Sequence, residues 1–166
     1  MTEYWDIYDK NGNKTGLTVK RKDFKNSTQD KYHLVTHVWV VNSKGEFLIQ
    51  KRSPDKIPMP GEWAANSGSA FAGEDSKTAA IREIGEELGI CIKPDEIKFI
   101  KRIIKRNSLC DIWKIGLDCT LDSLTFQKEE VSEAKWVSPE KLKEMIENKQ
   151  FHDYGADYFE IIFNEL

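Results

Sequence analysis

Three glutamates, Glu83, Glu86 and Glu87, have the spacing and the chemistry of a metal site. On a helix, positions i, i+3 and i+4 lie side by side, so three negative charges there repel one another unless a cation neutralises them. Magnesium prefers hard oxygen ligands and commonly bridges carboxylates to substrate phosphates. The spacing therefore indicates a divalent-cation site for phosphoryl chemistry, and the alternative is a solvated acidic surface.

A helix over residues 75–89 is predicted to carry these glutamates. Asp75 or Ser76 suits the N-cap, and Gly89 suits the left-handed residue that ends a helix. The apolar residues recur at helical spacing and form one stripe for packing on a core: Ala80, Ile81, Ile84 and Leu88. The glutamates thus project beside a face that the fold buries.

The glutamates belong to a longer pattern that runs without a gap through residues 68–90. Gly68 precedes Glu74 by six positions, and Glu74 precedes Arg82 by eight. The whole reads G-x5-E-x7-R-E-U-x-E-E-x-G-U, where U is a bulky aliphatic residue. A chance match in a chain of this length is on the order of one in ten million at ordinary residue frequencies. The acidic face is therefore not an accident of composition.

This pattern resembles the signature of the Nudix superfamily, the MutT-like hydrolases. The strand order around it is similar to that family's fold, an α/β/α sandwich around a mixed β-sheet. The resemblance implies hydrolysis of a pyrophosphate bond in a nucleoside diphosphate derivative or similar diphosphate, by attack of water on phosphorus. It also implies Mg²⁺ as the cofactor, or Mn²⁺ in its place. The substrate is expected to be a small molecule, whose identity the pattern at residues 68–90, from here on called the box, leaves open.

The resemblance also implies roles for individual residues. The metal ligands are expected to be Glu83, Glu86, Glu87 and the carbonyl of Gly68, with the number of ions open. Glu83 and Glu86 are also expected to take part in catalysis, together with Arg82, which would orient Glu83 through a salt bridge. Glu74 would support the junction between the loop and the helix.

Acids and bases outside the box are further candidates. The general base remains open among Glu83, Glu86 and three acids near a late strand, namely Glu129, Glu130 and Glu133. Arg52 and Lys56 flank a proline-rich loop, and both side chains suit phosphate oxygens. They are predicted to bind substrate, against the alternative of a solvated hairpin end.

Residues 4–63 resemble one branch of the superfamily, the isopentenyl-diphosphate isomerase-like proteins. His33, Arg52 and Lys56 match isomerase positions. Isomerase chemistry, however, needs a cysteine just before the box and a histidine just after it, whereas Ser67 and Gly68 stand here. We therefore expect hydrolysis and no isomerisation. A non-catalytic nucleotide-binding domain is the third possibility, but such domains usually lose glutamates that this helix keeps.

Length and composition limit the remaining possibilities. The 166 residues suit one domain spanning 1–166, with a hairpin extension over about residues 1–30. A net charge of −3 argues against binding of a nucleic acid polymer. The three cysteines have no metal-ligand spacing, and no signal peptide or membrane-length apolar run is evident, so a cytoplasmic location is expected. A monomer and a homodimer are both compatible with the sequence.

Hydrophobic patterning supplies the remaining elements. Strands are predicted at residues 5–8, 17–21, 33–41, 46–52, 97–105, 110–121 and 134–137. Two further helices are predicted at residues 139–148 and 153–164. His33 and His37 fall on one face of a strand and are predicted to be packed or surface histidines rather than metal ligands. Four tryptophans are predicted to be core residues: Trp39, Trp63, Trp113 and Trp136.

Overall fold

A mixed β-sheet with helices on both faces forms the body of the protein. The computed structural model describes residues 2–26 and 30–166. The strands are β1 (Tyr4–Tyr8), β2 (Lys14–Lys20), β3 (His33–Val41), β4 (Phe47–Arg52), β5 (Trp63–Ala64), β6 (Asn66–Ser69), β7 (Ile97–Lys105), β8 (Ser108–Gly116) and β9 (Val131–Val137). The helices are α1 (Ser76–Leu88), α2 (Pro139–Glu147) and α3 (Ala156–Glu165), with short 3-10 turns at Arg21–Asn26 and Leu121–Ser123.

The main sheet has the strand order β5-β4-β3-β8-β7, with β6 added to β3 and β9 added to β4. β3 and β8 run parallel, whereas their other neighbours pair antiparallel. Alternate side chains of β3 enter opposite cores: Val38 and Val40 pack with α1, while Trp39 and Val41 pack with α2 and α3. The predicted α/β/α sandwich around a mixed sheet is therefore confirmed.

The two central strands, β3 and β4, pair over only a short length. Their register joins Val40 to Leu48 and Val41 to Phe47. Away from this contact, β3 pairs with β6 and β4 pairs with β5. Because the two strands part, a cleft opens between them, and β6 carries the start of the box along one side of it.

The box helix α1 forms as its local sequence predicts. The Asp75 side chain caps it by accepting a hydrogen bond from the N–H of Thr78 at 2.7 Å. Gly89 ends it in the left-handed conformation, with φ of 70°. Ile84 and Leu88 are fully buried against the sheet, and Glu87, next to Leu88, is buried with them.

Gly85 lies inside α1 and offers a stability test. Gly85→Ala is expected to stabilise the protein by about 0.5–1 kcal/mol, because glycine loses more chain entropy than alanine in a helix. The added Cβ would lie 3.6 Å from the carbonyl oxygen of Ile90, an ordinary contact. Chemical denaturation measures the change. Gly89→Ala is the contrasting variant and is expected to destabilise, because φ there is 70° and Thr125 lies 3.0 Å from the added carbon.

Several strand bounds differ from the sequence prediction, for reasons of pairing. β8 ends at Gly116, not at residue 121, because Gly116 lies opposite Val41, where its partner β3 ends. β9 begins at Val131, not at residue 134, because Val131 pairs with Arg52 at the end of β4. The second strand of the N-terminal hairpin begins at Lys14, earlier than residue 17.

The N-terminal hairpin packs on the body of the protein through an aromatic cluster. Trp5 stacks on His33 with ring centroids 4.1 Å apart, and Phe24 contacts both rings by its edge. The N–H of Ala72, just after β6, donates to the carbonyl of Tyr4 at 2.7 Å. Residue 1 and residues 27–29 of the predicted extension lie outside the described residues. Among the described helices, none has the length and apolar character needed to cross a membrane.

His33 makes stability depend on pH. Burial, with a smaller contribution from the Arg21 guanidinium, lowers the pKa of His33 from 6.5 to about 4. Between pH 6.5 and pH 4 the His33 ring is therefore protonated in the unfolded chain and neutral in the folded chain. The free energy of unfolding falls as pH drops through this window. Relative to His33→Gln, the wild type is expected to lose about 1.4 kcal/mol per pH unit in this window. Urea unfolding at several pH values measures this, and a constant difference between the two proteins would contradict it.

Candidate active site

A cavity of about 350 Å³ lies where the cleft between β3 and β4 meets α1. Seven residues of the box line it: Gly68, Ser69, Phe71, Arg82, Glu83, Glu86 and Glu87. Three predicted residues from outside the box also line it: Arg52, Lys56 and Glu130. Glu74 does not line the cavity but forms an ion pair with Arg82, which does. Glu129 and Glu133 are exposed and do not line it. The fold thus brings carboxylates and cations from distant parts of the chain into one space.

Gly68 allows the Glu83 carboxylate to approach strand β6. A Cβ on Gly68 would lie 1.9 Å from Cδ of Glu83 and 2.2 Å from its Oε1, far closer than atoms can approach. The first glycine of the box is therefore required by a close approach of side chain to backbone, and no positive φ is involved.

Arg82 organises the acids of the box. Its guanidinium forms a bidentate pair with Glu74, through Nε at 2.8 Å and Nη2 at 2.9 Å. Nη1 donates to Glu83 at 2.9 Å and to Glu86 at 3.0 Å, and Nη2 also donates to the carbonyl of Ser69 at 3.0 Å. Burial alone raises the pKa of Glu74, but hydrogen bonds from Arg82 and the Phe71 N–H outweigh it and leave that pKa below its ordinary value. One arginine thus ties β6, the loop and α1 together.

Two of the three glutamates on α1 are held in an unfavourable electrostatic environment. Burial raises the pKa of Glu83 to about 7, although Arg82 offsets part of the effect. Burial, then repulsion from Glu83, raises the pKa of Glu87 to about 8, and a 2.9 Å hydrogen bond from Nε2 of Gln50 offsets part of that. Glu86 is half-exposed, with 52% of its side chain accessible. A cation placed among these carboxylates would remove the cost of their burial.

The donor set suits a hard divalent cation. Carboxylate oxygens are the ligands that Mg²⁺ prefers, and three of them meet in this cavity. Within the described residues, no three His, Cys, Asp or Glu side chains are already arranged as a metal cage. Glu83 and Glu86 are turned toward Arg82, and Glu87 toward Gln50. Each of these bonds uses one carboxylate oxygen, so the second oxygen of each glutamate can bind a cation while Arg82 and Gln50 stay in place.

The cations of the cavity come from the end of β4 and the loop that follows it. Arg52 is buried, and its Nε donates to the carbonyl of Pro58 at 3.0 Å. Lys56 forms an ion pair with Glu130, which lies just before β9. The loop therefore presents two positive charges opposite the acids of α1.

Four titratable residues that line the cavity were not predicted as site residues from the sequence. Glu3 and Arg21 come from the N-terminal hairpin and form an ion pair of 2.6 Å at the cavity wall. His37 on β3 and Tyr154 before α3 line it from the other side of the sheet. His37 is buried, as predicted for a packed histidine, yet its ring also contacts the cavity. No local pattern marks these residues, because only the docking of the hairpin and α3 brings them there.

Known proteins share both the sequence pattern and the fold. The family model described as NUDIX domain matches residues 31–157. An uncharacterized Nudix hydrolase of Listeria monocytogenes is 39% identical over 153 residues, covering 92% of this chain and 89% of the relative. Isopentenyl-diphosphate Delta-isomerase 2 of Photorhabdus laumondii is 30% identical over 100% of this chain and 93% of its own. The crystal structure of DR0079 from Deinococcus radiodurans superposes with a TM-score of 0.81 at 22% identity, covering 99% of this chain and 100% of that one.

Proposed function

Because the chain belongs to the Nudix family and is a hydrolase of that family, we propose a specific reaction for it. It hydrolyses a pyrophosphate bond in a nucleoside diphosphate derivative or similar diphosphate, with Mg²⁺ as cofactor and Mn²⁺ as a substitute. The observation that carries this proposal is the shared cavity, in which buried glutamates of α1 face Arg52 and Lys56. Carboxylates that bind a divalent cation and cationic side chains that bind phosphate oxygens together form a site suited to a diphosphate.

The metal ligands in this proposal are Glu83, Glu86, Glu87 and the carbonyl of Gly68. A divalent cation bound there supplies charge neutralisation at the phosphoryl oxygens and activation of water. Positioning and electrostatic stabilisation carry most of phosphoryl-transfer catalysis, so the chain's own residues act mainly by holding the substrate and one another. Arg82 holds Glu83 and Glu86 in place, and Glu74 in turn fixes the guanidinium.

Lys56 and Glu130 are coupled in this scheme. The two residues form an ion pair within the cavity and neutralise each other. When Lys56 turns to a phosphate oxygen, the carboxylate of Glu130 is left free to accept a proton from the attacking water. The candidates for the general base are then the cavity acids Glu83, Glu86 and Glu130, since Glu129 and Glu133 do not line the cavity.

Isomerase activity is the second candidate, and relatives that carry that name favour it. Proton transfer to and from an isoprenoid carbon would need a suitable acid at the cavity wall, where Ser67 and Gly68 lie. The three cysteines, Cys91, Cys110 and Cys119, do not line the cavity. We expect no isomerisation. Conversion of isopentenyl diphosphate to its dimethylallyl isomer, lost on Glu86→Gln, would overturn this expectation.

A substrate screen tests the proposed function. The chain is incubated with nucleotide sugars, dinucleotides, nucleoside triphosphates and isoprenoid diphosphates, each with Mg²⁺, with Mn²⁺ and with EDTA. We expect cleavage at a pyrophosphate bond that EDTA stops, and release of nucleoside monophosphate or phosphate is the measurement. No turnover of any compound, together with tight nucleotide binding, would instead favour a non-catalytic domain.

Residues 1–166 act as one Nudix domain, and the hairpin extension contributes Glu3 and Arg21 to the cavity wall. The partner is a small diphosphate, and the chain works without a nucleic acid polymer or a membrane, as a monomer or a homodimer. Its expected site of action is the cytoplasm.

A further inference from the structure

His37 lies on β3 with its ring at the wall of the cavity. The residue is 6% exposed, and the rings of Tyr154 and Tyr158 contact it edge-on at 4.9 and 5.3 Å between centroids. Val35 and Tyr154 line the cavity beside it. This wall is aromatic and uncharged, in contrast to the charged wall that the glutamates and the cations form.

A chain of hydrogen bonds determines which nitrogen of His37 carries the proton. Trp39 Nε1, which can only donate, lies 2.8 Å from Oη of Tyr158. Oη of Tyr158 lies 2.8 Å from Nδ1 of His37. Tyr158 is buried, and Nδ1 is the acceptor that its O–H meets among the described residues. All three groups are satisfied only if Trp39 donates to Tyr158 and Tyr158 donates to His37.

The His37 ring is therefore neutral, with its proton on Nε2. Burial, with smaller contributions from Lys105 and His152, lowers the pKa of His37 to about 3, which agrees with a neutral ring at physiological pH. Within the described part of the chain, Nε2 has no hydrogen-bond acceptor. Nε2 is not one of the described buried atoms that lack a partner, so it is not sealed within the core. The space that His37 lines is the cavity.

We propose that Nε2–H of His37 binds the organic group of the substrate by donating a hydrogen bond to an uncharged oxygen, a hydroxyl or a carbonyl. The inference deepens the proposed function and rests on it. A neutral donor between Val35 and Tyr154 suits a polar but uncharged group, while Arg52 and Lys56 suit the diphosphate. An isoprenoid tail has no such oxygen and would leave the donor unpaired, so the same residue selects against isoprenoid diphosphates.

The protonation state of His37 is tested without any turnover. Nitrogen-15 NMR of the histidine rings distinguishes Nε2–H, Nδ1–H and the doubly protonated cation. We expect His37 in the Nε2–H form near neutral pH, and Tyr158→Phe to shift the signal because the donor to Nδ1 is gone. A cationic ring, or a proton on Nδ1 in the wild type, overturns the proposal.

Binding is tested by a pair of substitutions that keep or remove the donor. The amide nitrogen of glutamine reaches the position of Nε2, whereas that of asparagine falls short. On the organic diphosphate most rapidly cleaved in the screen, we expect His37→Asn to lower kcat/KM about 10- to 100-fold and His37→Gln to lower it only a few-fold. Equal activity of both variants and the wild type overturns the proposal. Thermal unfolding shows whether either variant is misfolded, and His33→Gln, on the same strand but outside the cavity lining, is expected to leave kcat/KM unchanged.

Failure of this inference is distinguishable from failure of the proposed function. If the wild type hydrolyses nothing in the screen, the proposed function fails, and ADP then serves as the probe for His37. Saturating ADP is expected to shift the Nε2–H signal, whereas inorganic pyrophosphate, which has no organic group, is expected to leave it in place. An Nε2–H signal that ADP does not move, or that pyrophosphate moves equally, overturns the role given to His37.

Discussion

Glu87→Gln is expected to lower kcat/KM by about a thousand-fold or more, close to 4 kcal/mol of transition-state stabilisation. Glu87 lies at the cavity wall with 4% of its surface exposed, and the substitution removes one negative charge that a divalent cation would need. Glutamine keeps the size and shape of the Glu87 side chain, and its amide oxygen can still accept the hydrogen bond from Gln50. Steady-state kinetics on the substrate found in the screen measures the effect.

The same variant separates loss of metal binding from loss of fold. Mg²⁺ is expected to raise the Tm of the wild type and to have little effect on Glu87→Gln, because ligands stabilise only the state that binds them. Without metal the variant should be at least as stable as the wild type above pH 8. The folded-state pKa of Glu87 is raised to about 8, so the ionised carboxylate disfavours the folded state as pH rises from 4.5 through 8.

Glu147→Gln is the matched control for this variant. Glu147 is exposed at the end of α2, away from the cavity. The kcat/KM of Glu147→Gln and the response of its Tm to Mg²⁺ should therefore equal those of the wild type. If Glu87→Gln kept full activity, the assignment of α1 as the metal site would be wrong.

Gly68→Ala is expected to lower kcat/KM about a hundred-fold or more with only a small change in stability. The added Cβ would occupy the space of the Glu83 carboxyl group, 1.9 Å from its Cδ. That group is the far end of a flexible side chain, so it can turn away while the backbone stays in place. Glu83 would then leave both the metal site and its 2.9 Å contact with Arg82, and misplacement of a catalytic group is costly.

Gly116→Ala is the control for Gly68→Ala. Gly116 ends β8, and a Cβ there meets nothing within 4 Å. Kinetics and Tm of the three proteins, measured together, distinguish a local displacement of Glu83 from a general intolerance of alanine. Unchanged kcat/KM for Gly68→Ala would show that the position of Glu83 against β6 has no part in the reaction.

Much of the candidate site could be predicted because its determinants are neighbours in sequence. The cap at Asp75, the stop at Gly89 and the apolar stripe containing Ile84 are local features, so the sequence specifies α1 without reference to the rest of the fold. The spacing of Arg82 and the glutamates then follows from helix geometry. The strands also follow from their residues, although their ends do not, since β8 and β9 extend only as far as their partners do.

The amino-acid sequence by itself determined the box helix, the acidic face and the family to which the chain belongs. Tertiary structure alone decided which side chains meet that face. It brought Glu130 to the cavity and left Glu129 and Glu133 outside, and it put His37 at a wall that the sequence does not mark. The physical reason is the sequence separation over which each interaction acts. Helix caps and periodicity act over a few residues. Tyr158 and His37 are 121 positions apart, and their hydrogen bond forms only because α3 packs on the sheet.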